Sequence, residues 1–410
     1  MRIQKKGFGL LSCWLSILLV LPGVAAADIV TDWSLITTQS IVTKGGRTGF
    51  VEFSIVHASM FDAVNAIERR YVPYKIEPSS PRHGASPEAA AVAAAHRALV
   101  ALFPEQAVTL DAAYATSLAA LPNDIARAKG IALGEEVAVA MVALRANDGR
   151  AAPAAVYVFG VGPGVYQQTT PFPPTGQPVN THLPAVTPMV IPSPSQFRAY
   201  GPPGLTSARY TRDLEEVRQY GSLNSTVRTD AQSEIGRFHT EAPNQFWGRN
   251  LSNFVASRNL GTLKSARLMA LLAFAQTDAS ISCFDSKYTY SFWRPSTAIQ
   301  TTVDPAWLPY VNTPPHPEYP AAHGCAAGSV AETMDYFFRG QRLNFSFNST
   351  VTGITHDYGC PEDLVDEIAD ARVYGGMHFR GSVLHGAALG RAVAHWVVRH
   401  SLQPRDKGGH

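Results

Sequence analysis

Charge is scarce in this 410-residue sequence: 16% of its residues are Asp, Glu, Lys or Arg, against 46% hydrophobic. The 34 basic and 32 acidic residues nearly cancel, leaving +2. Arg2, Lys5 and Lys6 lie in the first 27 residues, where there is no acid, so the chain beyond them carries −1. That balance excludes the basic surface a nucleic-acid partner requires. Cysteine is scarcer still, four in all, too few for a disulfide-built scaffold, so the core must come from packing. No Cys-x-x-Cys occurs, which argues against thiolate zinc sites. Strand-like alternation is confined to Val156 to Val161 and Asn344 to Thr350, both short and beside turn residues.

The first 27 residues have a basic start, an apolar run from Leu10 to Leu21, and the small residues Ala25-Ala26-Ala27 before Asp28. This is the pattern of an export leader, and it places the mature chain outside the cytoplasm, secreted or periplasmic. An uncleaved anchor is the alternative. The run is shorter than the ~20 residues of a membrane span, and no later apolar run of that length is free of charge. No stable span is therefore expected after cleavage. Cys283, Cys325 and Cys360 would remain, enough for one bridge and one free thiol.

Helical periodicity dominates the rest. Phe50, Phe53, Val56, Met60, Val64 and Ile67 form an apolar stripe at three- and four-residue steps. His57 and Asp62 punctuate it as core or rim groups. Alanine-rich helices are expected at 86–103, 106–121 and 124–147, and further helices at 207–220, 228–241, 261–284, 321–339, 362–374 and 383–400. Between Pro153 and Pro203 lie 12 of the 29 prolines, through which no helix can propagate. The fold expected is all-α: helical bundles packed together, with a long Pro-rich connecting segment. The divisions are 28–150 (N-terminal helical region), 151–205 (connection), 206–402 (C-terminal helical region) and 403–410 (tail), with 28–402 forming one compact unit. The connection reads as a wrap between the two halves or as a plain linker.

Three segments of the C-terminal half set basic or imidazole side chains among glycine, proline and aromatics. Lys287 and Arg294 are seven residues apart; on one helix they would share a face about 10 Å apart and could converge on one anion, with Pro295 ending the element. In Pro314-Pro-His316-Pro-Glu-Tyr-Pro320-Ala321-Ala322-His323, prolines hold the chain extended and small residues then open a helix. Its free N–H groups suit an oxyanion, with His323 placed to exchange protons. Arg372 and His378 share a target only if the chain breaks between them, and Gly375-Gly376 supplies a break. Taken singly, each segment also fits a solvated face, a capped helix or an ordinary helix junction.

Together the three resemble the vanadium-dependent haloperoxidase and type 2 phosphatidic acid phosphatase superfamily, with its Lys-x6-Arg-Pro, Pro-Ser-Gly-His and Ser-Arg-x5-His-x3-Asp motifs. Lys287, Arg294 and Pro295 match the first, Pro320 and His323 the ends of the second, and Arg372 and His378 the third. The likeness to the secreted haloperoxidase branch extends to His57 to Asn65 and to the helix leading into Asp285-Ser-Lys287. Four positions depart: Ala321 and Ala322 stand for Ser and Gly, Ala371 for Ser, and Ser382 for Asp. The resemblance implies a vanadate cofactor held by Lys287, Arg294, Arg372 and the Ala322 backbone N–H. It also implies His378 as the vanadium ligand, His323 as acid-base group, and His316 at a halide site that suits bromide or iodide. Ser382 would orient His378 poorly, leaving its tautomer to another acceptor. The implied reaction is peroxide-driven halide oxidation in which Lys287 polarises bound peroxide. The alternatives are a phosphatase acting on a phosphate ester with a His378 nucleophile, or a non-catalytic protein that binds oxyanions or partners. A homo-oligomer is compatible with all three.

Overall fold

The computed structural model describes residues 28–45, 49–169, 176–339 and 341–405. The leader segment and the end of the tail lie outside them. Thirteen α-helices and one two-stranded antiparallel sheet make up the described fold, so it is all-α in class.

The N-terminal bundle contains α1 (Ile29–Lys44), α2 (Gly49–Glu68), α3 (Pro87–Leu102), α4 (Ala107–Ala119) and α5 (Ile125–Leu144). Side-chain caps start three of them: Asp28 accepts from the Val30 N–H, Ser86 from Ala89 and Asp124 from Arg127. The sequence pattern did not show α1, because Thr31, Ser34, Thr37, Thr38 and Ser40 are buried where an apolar stripe would stand. Their hydroxyls can be buried because they bond inside the helix, as Thr37 does to the Trp33 carbonyl at 2.7 Å. By length and composition α2 could cross a membrane, but it is a core helix buried on most faces. Asp62 within it accepts from the Tyr74, Lys75 and Ile76 N–H groups, and His57 meets Ser34 at 3.1 Å. Both are structural groups.

The C-terminal half holds α6 (Ala208–Tyr220), α7 (Asp230–Phe238), α8 (Pro243–Ala256), α9 (Thr262–Tyr290), α10 (Pro295–Thr302), α11 (Ala322–Phe338), α12 (Pro361–Tyr374) and α13 (Arg380–His400). Here α8 and α10 were not expected. Pro295 begins a helix instead of closing one, since proline suits the first turn where its missing N–H costs nothing. Strands β1 (Phe345–Asn348) and β2 (Thr355–Tyr358) pair in antiparallel register. The other expected strand, Val156 to Val161, has no strand partner among the described residues and exposes its valines. The three cysteines are free thiols, so the bridge the sequence permitted is not formed.

The longest helix, α9, packs against α2, α11 and α13 and joins the halves. The proline-rich connection is laid across it. Asp278 accepts from the Met189, Val190 and Ile191 N–H groups at 2.6, 2.8 and 2.9 Å, and Arg198 clasps Asp285 with two bonds. That segment is a wrap, not a plain linker.

Helices α11 and α13 approach almost backbone to backbone. A methyl on Gly324, Gly328, Gly386 or Gly390 would run into a carbonyl oxygen of the facing helix: Val383, Ala387, Ala321 or Cys325 respectively. Gly328→Val should therefore cost about 3 kcal/mol of unfolding free energy or more, whereas Gly204→Ala, with open space around it, should change little. Denaturant midpoints of the two variants measure this; equal midpoints would contradict the packing.

Candidate active site

Lys287 lies in the last turn of α9, which Ser291 closes in the left-handed conformation at φ 44°. The chain then runs extended through Phe292 and Trp293, and Arg294 precedes α10. The two cations thus stand on different elements, not on one helical face as their spacing suggested. They still reach one centre because the proline loop before α11 folds between them. Lys287 Nζ donates to the Pro317 and Glu318 carbonyls, both at 2.9 Å. Arg294 donates to the His316 carbonyl at 2.9 Å and the Pro314 carbonyl at 3.1 Å. Backbone dipoles hold these cations while leaving their formal charge in place.

Helix α12 ends at Tyr374, and Gly376 turns the chain at φ 75°, a conformation glycine adopts freely. The break brings His378 back under Arg372, whose carbonyl accepts from the His378 N–H at 3.3 Å. Arg372 is wholly enclosed, donating to the His239 carbonyl at 3.0 Å and leaning on the Met377 sulfur, and its Nε has no partner. Ala322 and His323 open α11 beside it. The N-cap is Ala321, which offers no side-chain acceptor, so the first N–H groups of that helix are uncapped.

His378 has a defined tautomer. Its Nδ1 is 2.9 Å from Glu318 Oε1, and its Nε2 is 3.0 Å from Arg294 Nη1. A guanidinium only donates, so Nε2 carries the lone pair and Nδ1–H donates to the carboxylate. Glu318 was not singled out in the sequence. Ser382, where the superfamily motif has aspartate, stands next to Glu318 and favours its charged form. The orienting carboxylate comes from the proline loop just before the second motif instead of from the third. A lone acid inside Pro-His-Pro-Glu-Tyr-Pro, in a chain so poor in charge, was the available signal. His316 is buried, not on the loop surface; its Nδ1 faces Arg294 Nη2 at 3.0 Å and its ring meets Phe284 edge-on.

Burial dominates the electrostatics. It pushes Lys287 down to about 8, Arg372 to about 9 and Arg294 to about 10, and holds His316, His323 and His378 well below the ordinary imidazole value. Burial also raises Glu318 to about 7, against the pull of Lys287 and Arg294. Near neutral pH the site is thus three cations, three neutral imidazoles and one carboxyl. His316, Ala322, His323, Arg372 and His378 line one cavity; Arg294 bonds to its lining residues His316 and Pro314, whereas Lys287 bonds to Pro317 and Glu318, which do not line it. The unpartnered Arg372 Nε, the uncapped α11 and the surplus of cations fit a tetrahedral oxyanion. The fold is all-α, and this cavity has the composition that suits an oxyanion, with the unprotonated His378 Nε2 beside Arg294.

Residues 267–407 match the family model for the VCPO second helical-bundle domain. A vanadium chloroperoxidase of Curvularia inaequalis is 25% identical over 220 residues, 41% of this chain and 36% of that protein. The match therefore spans little more than a third of that relative. The fold superposes on a solved bacterial vanadium-dependent iodoperoxidase with a TM-score of 0.79 at 21% identity, covering 93% of this chain and 98% of that one. For a holo-type bacterial vanadium-dependent chloroperoxidase the TM-score is 0.70 at 17% identity, covering 93% and 94%. Residues 267–407 thus resemble the second helical-bundle domain of vanadium chloroperoxidases, and the described fold as a whole is similar to that of the two solved bacterial vanadium-dependent enzymes.

Two outcomes follow for the vanadate-free protein. Arg372→Ala should weaken inorganic phosphate binding by about 10- to 100-fold, the worth of a hydrogen bond to a charged group; calorimetric titration reads it, and an unchanged dissociation constant would remove Arg372 from the site. Lys287 is charged below its pKa of about 8, so rising pH removes a cation and phosphate affinity should decline above that value. In Lys287→Met the affinity should be lower and the onset of the decline should move up toward pH 9, where Arg372 loses its proton; an onset still near 8 would place its origin elsewhere.

Proposed function

We propose that the protein is a vanadate-dependent haloperoxidase that oxidises bromide or iodide with hydrogen peroxide to hypohalous acid. The observation carrying this reading is the His378 lone pair, directed among three cations and fixed by Glu318. Lys287, Arg294, Arg372 and the Ala322 N–H would hold the vanadate oxygens, and His378 Nε2 would ligate vanadium. Bound vanadate(V) supplies Lewis acidity toward peroxide without changing oxidation state. Glu318 keeps the proton on Nδ1 and so keeps Nε2 unprotonated. Lys287 directs positive charge at the developing oxyanion, and neutral His323 takes up and returns a proton as hypohalous acid leaves. The leader read in residues 1–27 supports a secreted or periplasmic setting.

The buried carboxylate on His378 also favours a second reading, an acid phosphatase with His378 as nucleophile, because such an imidazole needs an orienting carboxylate. Assaying bromide- and iodide-dependent peroxide consumption and phosphate-ester hydrolysis, with and without orthovanadate, separates the two. Vanadate-dependent halide turnover is expected; hydrolysis that vanadate inhibits, without halide turnover, would replace the proposal.

Halide choice should depend on His316. An imidazole beside the anion brings a polar, titratable group where a phenyl ring would keep the site dry. His316→Phe should raise chloride turnover relative to bromide, and an equal ratio in both proteins would exclude His316 from the halide site.

A further inference from the structure

Two of the three free thiols stand together behind the wall of the anion site. Cys283 of α9 and Cys325 of α11 are both buried, and their side chains share a hydrogen bond. Cys283 also faces the Pro320 carbonyl at 3.7 Å. Lys287 follows Cys283 by one helical turn, and His323 precedes Cys325 by two residues in the first turn of α11. The thiols therefore sit at the same two helix ends that present the lysine and the imidazole. Cys360 lies apart, at the N-cap of α12.

Their placement against the cavity is the same on both helices. Ser280 and Phe284 stand three residues before and one after Cys283, Ala322 and Ala326 likewise around Cys325, and all four line the cavity. On a helix those offsets turn each thiol about 60° to 100° from the lining face, so both sulfurs lie just behind the wall. A peroxide in the cavity has one layer of side chains to cross. The two thiols are also unlike. Burial raises both, but at Cys283 the bond from Cys325 and the charge of Lys287 outweigh it and bring the thiol below its ordinary value, whereas Cys325 is held well above. One is suited to attack an oxidant and the other to resolve the product.

From this pairing we infer that Cys283 and Cys325 form an oxidisable dithiol, closed to a disulfide by hydrogen peroxide that has entered the cavity, and that the bridge weakens the anion pocket. Its role as a brake rests on the peroxidase reading, which brings peroxide there as a substrate. The Cys283 sulfur attacks one peroxide oxygen, the oxygen–oxygen bond breaks, and the leaving hydroxide takes the thiol proton as the first water. The Cys325 sulfur then displaces the oxygen of the sulfenic acid, which leaves with the Cys325 proton as the second water. Each sulfur gives up one electron and peroxide accepts two. Closing the bond replaces a thiol contact with a covalent one and draws α9 toward α11. A close-packed interior passes that shift on to Lys287 and His323.

Vanadate-free protein, reduced with dithiothreitol and then freed of it, is exposed to hydrogen peroxide without halide, alkylated and digested with trypsin. The two thiols fall on separate peptides, 268–287 and 288–339. Mass spectrometry should find these linked with the loss of two hydrogens, and Cys360 still alkylated. Phosphate affinity, read by calorimetric titration, should fall about 5-fold or more, the lower end of coupling between sites, and return with dithiothreitol. That reversal separates the bridge from oxidation of Met377, whose sulfoxide dithiothreitol does not reduce. Cys325→Ala should keep the starting affinity and lose the response, with Cys325→Ser as the second variant should the first fail to fold. Free thiols on both peptides after peroxide, a bridge that leaves phosphate affinity unchanged, or an equal fall in the folded variant overturns the inference. Triiodide formation from iodide and peroxide with vanadate, measured in the folded variant that cannot bridge, reports the peroxidase alone. The bridge without triiodide keeps the dithiol and removes the proposed function; triiodide without the bridge does the reverse.

Discussion

The near-contact of the α11 and α13 backbones sets the geometry of the site. Four glycines allow it, and only there can the α11 N-terminus, with Ala322 and His323, lie beside the segment that carries His378 into α13. Larger side chains would separate the helices and with them the two imidazoles. Protein interiors transmit such a displacement, because they have almost no free volume to absorb it. The pairing is also local in sequence, since β1, β2 and α12 fill the interval between the two helices. The C-terminal half therefore carries its own frame.

On that frame the loop before α11 acts as a counter-scaffold for the cations. Its carbonyls take up the Lys287 and Arg294 donors, and its one carboxylate is directed at His378. Had several acids paired these cations, their field at the anion pocket would be cancelled, and buried ion pairs return little for their desolvation. Neutral dipoles satisfy the hydrogen-bonding requirement without cancelling charge. Glu318 is the exception, and its own charge is weakened by burial.

The sequence was most informative where one physical rule acts alone. Apolar periodicity marked α2 and the alanine-rich helices, and Gly375-Gly376 marked the turn that returns His378 toward Arg372. It was least informative where two rules compete. The buried hydroxyls of α1 mimic a surface until their bonds to the preceding turn are counted. Pro295 reads as a stop because proline ends helices more conspicuously than it begins them. The cationic positions were legible because charge is rare in this chain. Glu318 was not, because its role depends on a loop folding back some 60 residues away in sequence from His378.

The union of α2 with α9 also bears on how the chain acquires its structure. Ser54 meets Thr277 at 2.7 Å across 223 residues of sequence. During synthesis α2 and α3 exist long before α9 does, with the apolar face that α9 will cover open to water or to other chains. Contacts of such separation slow folding and prolong aggregation-prone intermediates. The fold therefore closes late, when α9 arrives, and from the N-terminal bundle's side this chain depends on whatever shields that helix in the meantime.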